Sequence, residues 1–255
     1  MPPLAPLPTF LIIGAQKSAT RWLRVNLGAH PDVFTADDEL WFFNDVEGRF
    51  SYLGTDWYRA QFAGWDGETF VGESTPGYMM LRHDPAVVAE RIDTTVPDIR
   101  LLAVLRDPVA RAQSAVAHHT KRGRIAPDAR LIDLVRHHPE VLDRRSIVDG
   151  GLYAQSLRPY VERFGDRLLI TLHDDVTADA VDVFRRSCAH VGADPSFLPP
   201  GLGEVRFSNQ TSRSKRPSAP AVTEEERQEI FTLFRADVDA LEELIGRDLS
   251  AWRPG

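Results

Sequence analysis

A basic turn near the N-terminus has the residue types of a phosphate site. Residues 13–21 read Ile-Gly-Ala-Gln-Lys-Ser-Ala-Thr-Arg and connect a short apolar run to a candidate helix. The first N–H groups of a helix have no partner within it, and the helix dipole makes that end positive. A phosphate there gains hydrogen bonds, to which Lys17, Ser18 and Thr20 add a charge and two hydroxyls. Because the glycine pair of the Walker A pattern is missing, we expect a P-loop-like phosphate-binding turn of a shorter kind, with a solvent-exposed turn as the alternative.

Basic residues occur in three separated segments of an acidic chain. They lie at 17–24, 106–124 and 213–216, whereas the formal net charge is −7. Segments distant in sequence can meet at the carboxyl edge of a parallel sheet, where open α/β folds bind ligands. The pattern predicts convergence on a small anion; three solvated faces are the alternative. The negative total disfavours non-specific nucleic-acid binding, which needs a basic surface.

Two adjacent histidines, His118 and His119, could transfer protons. Their side chains ordinarily titrate near neutral pH, which suits acid–base catalysis; simple packing or substrate contact is the alternative. His173 precedes two aspartates, but no set of His, Cys and carboxylate residues has the spacing of a zinc site. The sequence therefore predicts no metal.

Aromatic residues cluster between the first two predicted strands, among them Trp41, Phe42 and Phe43. They could line a pocket for an acceptor, since binding sites are mostly apolar with a few polar groups. Phe42 and Phe43 could equally belong to the hydrophobic core.

Apolar runs and helical spacing alternate along the chain. The runs predict strands at 10–14, 70–73, 101–105 and 168–172. The helical spacing predicts helices at 20–29, 85–92, 109–119, 151–164, 178–191 and 223–245. Asp107 suits the N-cap of one helix, and Thr223 with Glu226 forms a capping box at another. This alternation predicts an α/β fold with a mostly parallel central sheet flanked by helices.

Length and composition limit the remaining possibilities. The 255 residues are expected to form a single domain, 1–255, in which 1–8 form a flexible N-terminal segment. Cys188 is the only cysteine, and the N-terminus has neither a basic region nor a long apolar run. These features predict a cytoplasmic protein without a signal peptide or transmembrane segment. The sequence does not indicate an oligomeric state.

The segments described above resemble those of a known family, the sulfotransferases that use 3′-phosphoadenosine 5′-phosphosulfate (PAPS), and most closely the heparan sulfate 3-O- and N-sulfotransferase branch. That branch has Gly-x-x-Lys-x-Gly-Thr-Arg after its first strand, and residues 14–21 match it except that Ala19 replaces a glycine. A Cβ there is tolerated if φ is negative. Residues 105–114 look like the family's 3′-phosphate segment. Residues 30–33, 39–44, 72–78, 151–153 and 209–216 match further family segments in the expected order.

The resemblance implies which residues bind the two phosphates of PAPS. Arg106 and Ser114 would hold the 3′-phosphate, and a guanidinium suits this role because its planar fork can donate two hydrogen bonds to one phosphate. An ion pair of Arg106 with a neighbouring carboxylate is the alternative. The residues that the resemblance implies for PAPS binding are Lys17, Ser18, Ala19, Thr20, Arg21, Trp22, Arg106, Ser114, Tyr153, Arg213, Ser214, Lys215 and Arg216.

The resemblance also implies catalytic and acceptor-binding roles. Glu39 is the first choice for the general base and Lys17 for stabilising charge on the leaving group, with His118 and His119 as rival bases. An acidic surface face is the alternative for Glu39, which follows two aspartates. Trp41, Phe42, Ser74, Tyr78 and His118 are expected to contact the acceptor. Ser74 stands where the branch often has a lysine, which disfavours a strongly acidic polymer and favours a small hydroxylated metabolite, a glycolipid or a natural product.

Two other functions fit parts of the pattern. An ATP-dependent P-loop kinase of a small molecule would share the strand–lysine–helix layout, but it needs a Walker A glycine and a magnesium-binding acid. A non-catalytic anion- or glycan-binding module would keep the basic segments and would not require Glu39. The sequence favours sulfuryl transfer from PAPS, without a metal, to a hydroxyl or amine of a carbohydrate or small molecule.

Overall fold

Five parallel strands form the centre of the molecule in the computed structural model, which describes residues 5–202 and 221–255. The strands have the order β2-β3-β1-β4-β5. They are β1 (Phe10–Gly14), β2 (Val33–Thr35), β3 (Phe70–Ser74), β4 (Arg100–Leu105) and β5 (Leu168–Leu172). Every pairing in this sheet is parallel, which confirms the predicted α/β class.

Helices follow or precede each strand and cover both faces of the sheet. The first six are α1 (Thr20–Leu27), α2 (Gly54–Ala60), α3 (Pro85–Thr95), α4 (Pro108–Lys121), α5 (Leu131–His137) and α6 (Pro139–Arg144). The others are α7 (Tyr153–Phe164), α8 (His173–Ala178), α9 (Ala180–Val191), α10 (Glu224–Phe231) and α11 (Arg235–Ile245).

Alternate residues of the central strands enter two separate apolar layers. Leu11 and Ala103 pack in the layer that contains α3, α4, α7 and α11. Phe10 and Leu102, their neighbours in sequence, pack in the layer that contains α1 and α9. Because successive side chains of a strand point to opposite faces, continuous apolar runs are what a sheet covered on both sides requires.

The structure differs from the sequence expectation at several elements. The short edge strand β2 was not expected. The helix predicted at 178–191 is α9, which begins two residues later because Asp179 caps it by accepting from Val181 N and Asp182 N; the short helix α8 before it was not expected. The helix predicted at 223–245 is divided into α10 and α11, although its capping box is present. The helix predicted from 151 begins at Tyr153, after a 3₁₀ turn.

The carboxyl ends of β1, β3 and β4 lie side by side because these strands are neighbours in the sheet. Ile12 pairs with Ser74 on one side and with Leu102 on the other. The turn after β1, the segment after β3 and the start of α4 therefore meet at one edge, where ligands of parallel α/β sheets bind.

Candidate active site

The turn between β1 and α1 has a tight backbone. Lys17 and Ala19 both have φ of 71°, in the left-handed region. The condition for tolerating a Cβ at Ala19, a negative φ, is therefore not met: alanine here replaces glycine at a position with a left-handed backbone. Ser18 lies between them, fully buried, and its N–H donates to Ala15 O at 3.2 Å. The helix begins at Thr20, which is also buried.

Arg106, at the end of β4, holds this turn. Its Nη1 donates to Lys17 O at 3.2 Å. The phenol of Tyr153 in turn donates to Arg106 O at 2.8 Å. The structure thus joins the two predicted phosphate segments through the main chain of Lys17. Tyr153 is fully buried, and burial raises its pKa to about 12. Tyr153 remains a predicted cofactor contact, and in the structure its hydroxyl supports Arg106 from within the core.

The start of α4 is fixed by Asp107. Its carboxylate accepts from Val109 N at 2.8 Å and from Ala110 N at 3.2 Å, as the sequence predicted. The same carboxylate pairs with Arg227 of α10 at 2.6 Å. Arg106 itself has no ion-pair partner among the residues that the structure describes, so the alternative of a structural ion pair with Asp107 is not what the structure shows. Ser114 lies two turns farther along α4 and is nearly buried.

Lys17 lies among cations. Burial lowers its pKa, and Lys121, Arg106 and Arg122 lower it further. Within residues 5–202 and 221–255, no carboxylate lies within ion-pair distance of Lys17. Like charges held together without a counter-charge raise the energy of the folded state, and a bound anion would lower it. A bisphosphorylated nucleotide fits this centre, because Lys17 and Arg106 extend from adjacent strand ends beside the N-termini of α1 and α4.

Glu39 lies near the same cations. Burial by the surrounding protein raises its pKa, whereas the charges of Arg122 and Lys17 act in the opposite direction. Its side chain still reaches solvent. Glu39 is thus exposed and lies close enough to Lys17 and Arg122 to feel their charge, and its role as the base stays a prediction. Arg122 lies in a basic segment that the sequence had indicated, but no motif distinguished it there.

The two histidines of α4 differ in their surroundings. The pKa of His118 is lowered to about 4 by burial and by Lys17 and Arg122. The pKa of His119 is also lowered to about 4, but by burial and by Arg145 and Arg124. His119 is buried on the Arg145 side of the helix. The structure therefore keeps His118 as a rival base and separates His119 from Lys17.

An open cavity of about 480 Å³ lies beyond the end of α4. Its lining comprises Thr120, Gly123, Arg124, Ile125, Ala126 and Pro127. None of the predicted site residues lines it. Arg124, which lines the cavity, is also among the cations that lower the pKa of His118.

Trp41 is half-buried, whereas Phe42 and Phe43 beside it are fully buried. The Trp41 ring packs against His83 with ring centres 6.1 Å apart, and against Gly77, where a Cβ would lie 2.1 Å from the ring. Ser74 ends β3 next to β1 and is nearly buried. Both remain predicted acceptor contacts. Arg21 is exposed on α1 and Trp22 packs partly into the layer below it.

Phe42 and Tyr78 belong to the core. Phe42 is fully buried and stacks on Tyr58 with ring centres 4.1 Å apart. Tyr78 is fully buried and donates to the carboxylate of Glu73 at 2.5 Å. Their rings face other side chains, which favours the core alternative for Phe42, and their contact with the acceptor stays a prediction. The remaining predicted residues, Arg213, Ser214, Lys215 and Arg216, lie outside the described residues.

The comparisons with known proteins identify the family. A sequence model described as "Sulfotransferase family" matches residues 8–195, more than half of the chain. The chain belongs to the sulfotransferase family. The resemblance seen in the sequence is thereby confirmed, and the match does not favour an ATP-dependent kinase.

The relatives of this sulfotransferase include heparan sulfate enzymes. It is 30% identical over 182 residues to heparan sulfate glucosamine 3-O-sulfotransferase 3B1 of Mus musculus, covering 71% of the chain and 45% of the relative. It is 34% identical over 158 residues to heparan sulfate glucosamine 3-O-sulfotransferase 6 of Homo sapiens, covering 62% of the chain and 44% of the relative. The chain spans about half the length of these curated relatives.

Solved structures confirm the fold. A sulfotransferase from Alicyclobacillus acidocaldarius matches with a TM-score of 0.78 at 29% identity, over 97% of this chain and 99% of that one. Mouse sulfotransferase SULT7A1, solved in complex with PAP, matches with a TM-score of 0.51 over 97% of this chain and 87% of that one. At 12% identity, the second match shows a shared fold only.

Two further features of the described residues concern metal-binding clusters and membrane-spanning helices. In the described part of the chain, no cluster of His, Cys, Asp and Glu side chains could hold a metal ion. The same part contains no helix with the length and apolar character to span a membrane.

Proposed function

We propose that this protein transfers the sulfuryl group of PAPS to a hydroxyl or amine of an acceptor. The observation that carries the proposal is the cationic centre of Lys17 and Arg106, which forms no ion pair among the described residues, together with Glu39, whose pKa responds to the charge of Lys17. Membership of the sulfotransferase family supports the same activity.

The chain's own residues would act by positioning and by charge. Bound PAPS would supply an activated sulfuryl group for in-line displacement. Arg106 and Ser114 would bind the 3′-phosphate, and the turn at 15–20 would bind the 5′-phosphate side. Lys17 would donate to the bridging oxygen as negative charge builds there, which is where a fixed cation lowers a barrier most. Glu39 would accept the proton of the attacking hydroxyl, a step worth roughly 10²- to 10⁴-fold for a positioned base.

The acceptor is proposed to be a carbohydrate or a small hydroxylated molecule. The named relatives act on heparan sulfate glucosamine. In this chain Ser74 stands at the sheet edge where a lysine would attract an acidic polymer, and the net charge is −7. The half-buried ring of Trp41 offers an apolar face, and the cavity beyond α4 offers space. A cytoplasmic location is part of the proposal and is supported by the single cysteine.

Nucleotide binding tests the donor. Thermal unfolding would be followed with adenosine 3′,5′-bisphosphate and with ATP, each with and without magnesium. Stabilisation by the bisphosphate without magnesium is expected. Stabilisation only by ATP with magnesium would contradict the proposal and support the kinase.

Transfer of labelled sulfate tests the reaction. The wild type would be screened with labelled PAPS across carbohydrates, phenols, alcohols and amines. The Glu39→Gln variant should bind the bisphosphate and lose turnover, because an amide cannot accept the proton. Normal turnover by Glu39→Gln would show that Glu39 is not the base. Bisphosphate binding without transfer to any acceptor class would favour a binding module.

A further inference from the structure

The hydroxyl of Thr75 anchors the main chain next to Glu39. Thr75 follows β3 and is fully buried. Its Oγ1 accepts from Leu40 N at 2.9 Å and from Trp41 N at 3.3 Å. These are the two peptide N–H groups that follow Glu39 in the chain. Thr75 N donates to Ile12 O of β1 at 3.2 Å. The anchor therefore connects the Glu39 segment to the strand that carries the Lys17 turn.

A buried carboxylate sets the direction of these hydrogen bonds. Glu73 is fully buried and accepts from Thr75 Oγ1 at 2.6 Å, from Tyr78 Oη at 2.5 Å and from Tyr58 Oη at 3.0 Å. Burial raises the pKa of Glu73, and the three hydroxyl donors act against that rise. A hydroxyl has one proton and two lone pairs. Since the proton of Thr75 goes to Glu73, its lone pairs are left to accept the two peptide N–H groups.

Tyr78 makes a third anchor of the same kind. Its Oη donates to Glu73 and accepts from Phe42 N at 3.3 Å. Tyr78 O also accepts from Tyr160 of α7 at 2.7 Å, which fixes the tyrosine from the opposite side. Tyr58 differs in one respect: it donates to Glu73 and has no contact with the N–H groups of residues 40–42. Tyr58→Phe is therefore a matched control for Tyr78→Phe.

We propose that Glu73, Thr75 and Tyr78 form a positioning network that holds Glu39 in place for proton transfer, an inference that rests on the proposed function. The segment from 36 to 45 has no helix or strand of its own to hold it. Trp41, within it, has φ of 52°, which is unfavourable for a large side chain. Fixed hydroxyl acceptors for three successive N–H groups keep this segment in the strained conformation. The network acts through the main chain and does not touch the reacting atoms.

Thr75→Val and Thr75→Ser test the anchor directly. Valine keeps the shape and removes the hydroxyl, whereas serine keeps the hydroxyl. A displacement of about 1 Å can cost about 10²-fold in rate, so we expect Thr75→Val to lose up to that factor in kcat. Bisphosphate affinity should stay near the wild-type value, because Lys17 and Arg106 are unchanged. Thr75→Ser should recover most of kcat. Equal kcat for the two variants would overturn the proposal.

Amide hydrogen exchange gives a readout that does not depend on turnover. The N–H groups of Leu40 and Trp41 should exchange faster in Thr75→Val than in Thr75→Ser. The same measurement on Tyr78→Phe should show faster exchange at Phe42, while Tyr58→Phe should leave all three N–H groups protected. Unchanged protection at Leu40 and Trp41 in Thr75→Val would contradict the network. If Thr75→Val does not fold, the tyrosine pair decides.

The tyrosine pair also separates positioning from general stability. Tyr58→Phe and Tyr78→Phe each remove one donor to Glu73, so both should lower thermal stability. Only Tyr78→Phe should also lower kcat. Parallel losses of kcat in both variants would show a merely structural role and overturn the inference. Glu39→Gln distinguishes this outcome from a failure of the proposed function. Normal turnover by Glu39→Gln would show that Glu39 is not the base, and the network would then have no base to position, whatever the tyrosine variants do.

Discussion

Lys17 and Ala19 have a backbone conformation that residues with a Cβ rarely adopt. Both have φ of 71°, on either side of the buried Ser18. A left-handed conformation costs roughly 1–2 kcal/mol for such residues. Strain of this kind persists where the surrounding structure holds the chain, and it often occurs at functional sites. Here Arg106 donates a hydrogen bond to Lys17 O and so helps to hold the strained turn. This turn keeps the Lys17 side chain near Arg106 and Arg122.

Ala19→Gly should make the protein more stable. Glycine removes the left-handed strain of roughly 1–2 kcal/mol and adds about 0.4–1 kcal/mol of unfolded-state entropy, so the net gain should be about 0.5–1 kcal/mol. Urea unfolding measures it. Ala189→Gly, at an exposed position within α9, is the control and should lower the free energy of unfolding. A loss in both variants would mean that Ala19 is not strained.

The pH dependence should distinguish Glu39 from His118. Glu39 must be ionised to accept a proton, and burial raises its pKa above the ordinary 4.5. Activity should therefore fall with decreasing pH at values above 4.5, whereas a His118 base, with a pKa of about 4, would give a fall near pH 4. The profile of kcat/KM for the acceptor reports the free enzyme. His118→Asn should keep the position of the fall, and a shift of that position would implicate the histidine.

Residue types predicted the charged part of the site better than its apolar part. Lys17 and Arg106 were singled out because a cation near a strand end needs a partner or a ligand, whereas Glu39 was singled out by the family resemblance. The structure joins Arg106 to Lys17 O by a hydrogen bond, and the pKa of Glu39 responds to the charge of Lys17. Phe42 and Tyr78 are harder to predict because an aromatic ring has the same sequence signal in a core as in a pocket. Phe42 is buried against Tyr58, which is distant in sequence, and Tyr78 against the nearby Glu73.

Among the elements, α4 has the most direct connection to the site, and Asp107 fixes where it begins. Asp107→Ala should cost about 1 kcal/mol for the lost cap and more for the lost partner of Arg227, which is mostly buried. Arg227→Met removes the ion pair and keeps the cap. Bisphosphate affinity should fall in Asp107→Ala more than in Arg227→Met. Only Asp107→Ala removes the cap of α4, which fixes the main chain next to Arg106. Equal affinities, measured by calorimetry, would contradict this.

Element boundaries show what periodicity can and cannot predict. Long apolar strands such as β4 were found because both faces of the sheet are covered, and the whole run is apolar. The strand β2 has three residues, too few for a pattern to emerge. The helix α8 has six residues, too few for a helical pattern to emerge, and Asp179 separates it from α9 by capping the second helix.

At the scale of the whole molecule, charge is distributed unevenly. The chain carries −7 in total, yet Lys17, Arg106 and Arg122 lie close enough together to lower the pKa of Lys17. Such a centre lowers the stability of the unliganded protein and raises its affinity for an anion, a trade-off typical of functional sites. The acidic remainder keeps the molecule from binding polyanions over its whole surface.

Lys17→Met tests this trade-off, because it removes the charge and keeps a Cβ in the left-handed backbone. The unliganded variant should unfold at higher urea than the wild type. The difference should shrink as pH rises through the lowered pKa of Lys17, where the folded wild type loses its charge while the unfolded chain keeps it until about pH 10.5. With bisphosphate at a hundred times the wild-type Kd, the wild type should gain about 2.7 kcal/mol and the variant much less.

Arg185→Met is the matched control, since it removes a cation from the exposed face of α9. In a chain with an excess of acidic residues, this loss should leave stability unchanged or slightly lower, and it should not alter the gain on adding bisphosphate. If Lys17→Met instead lowers the stability of the unliganded protein, an anionic group of the protein already offsets the charge of Lys17, and no bound anion is needed to do so. If the bisphosphate stabilises Lys17→Met and the wild type equally, the nucleotide binds elsewhere, because a cation in contact with its phosphates cannot be removed without loss of affinity.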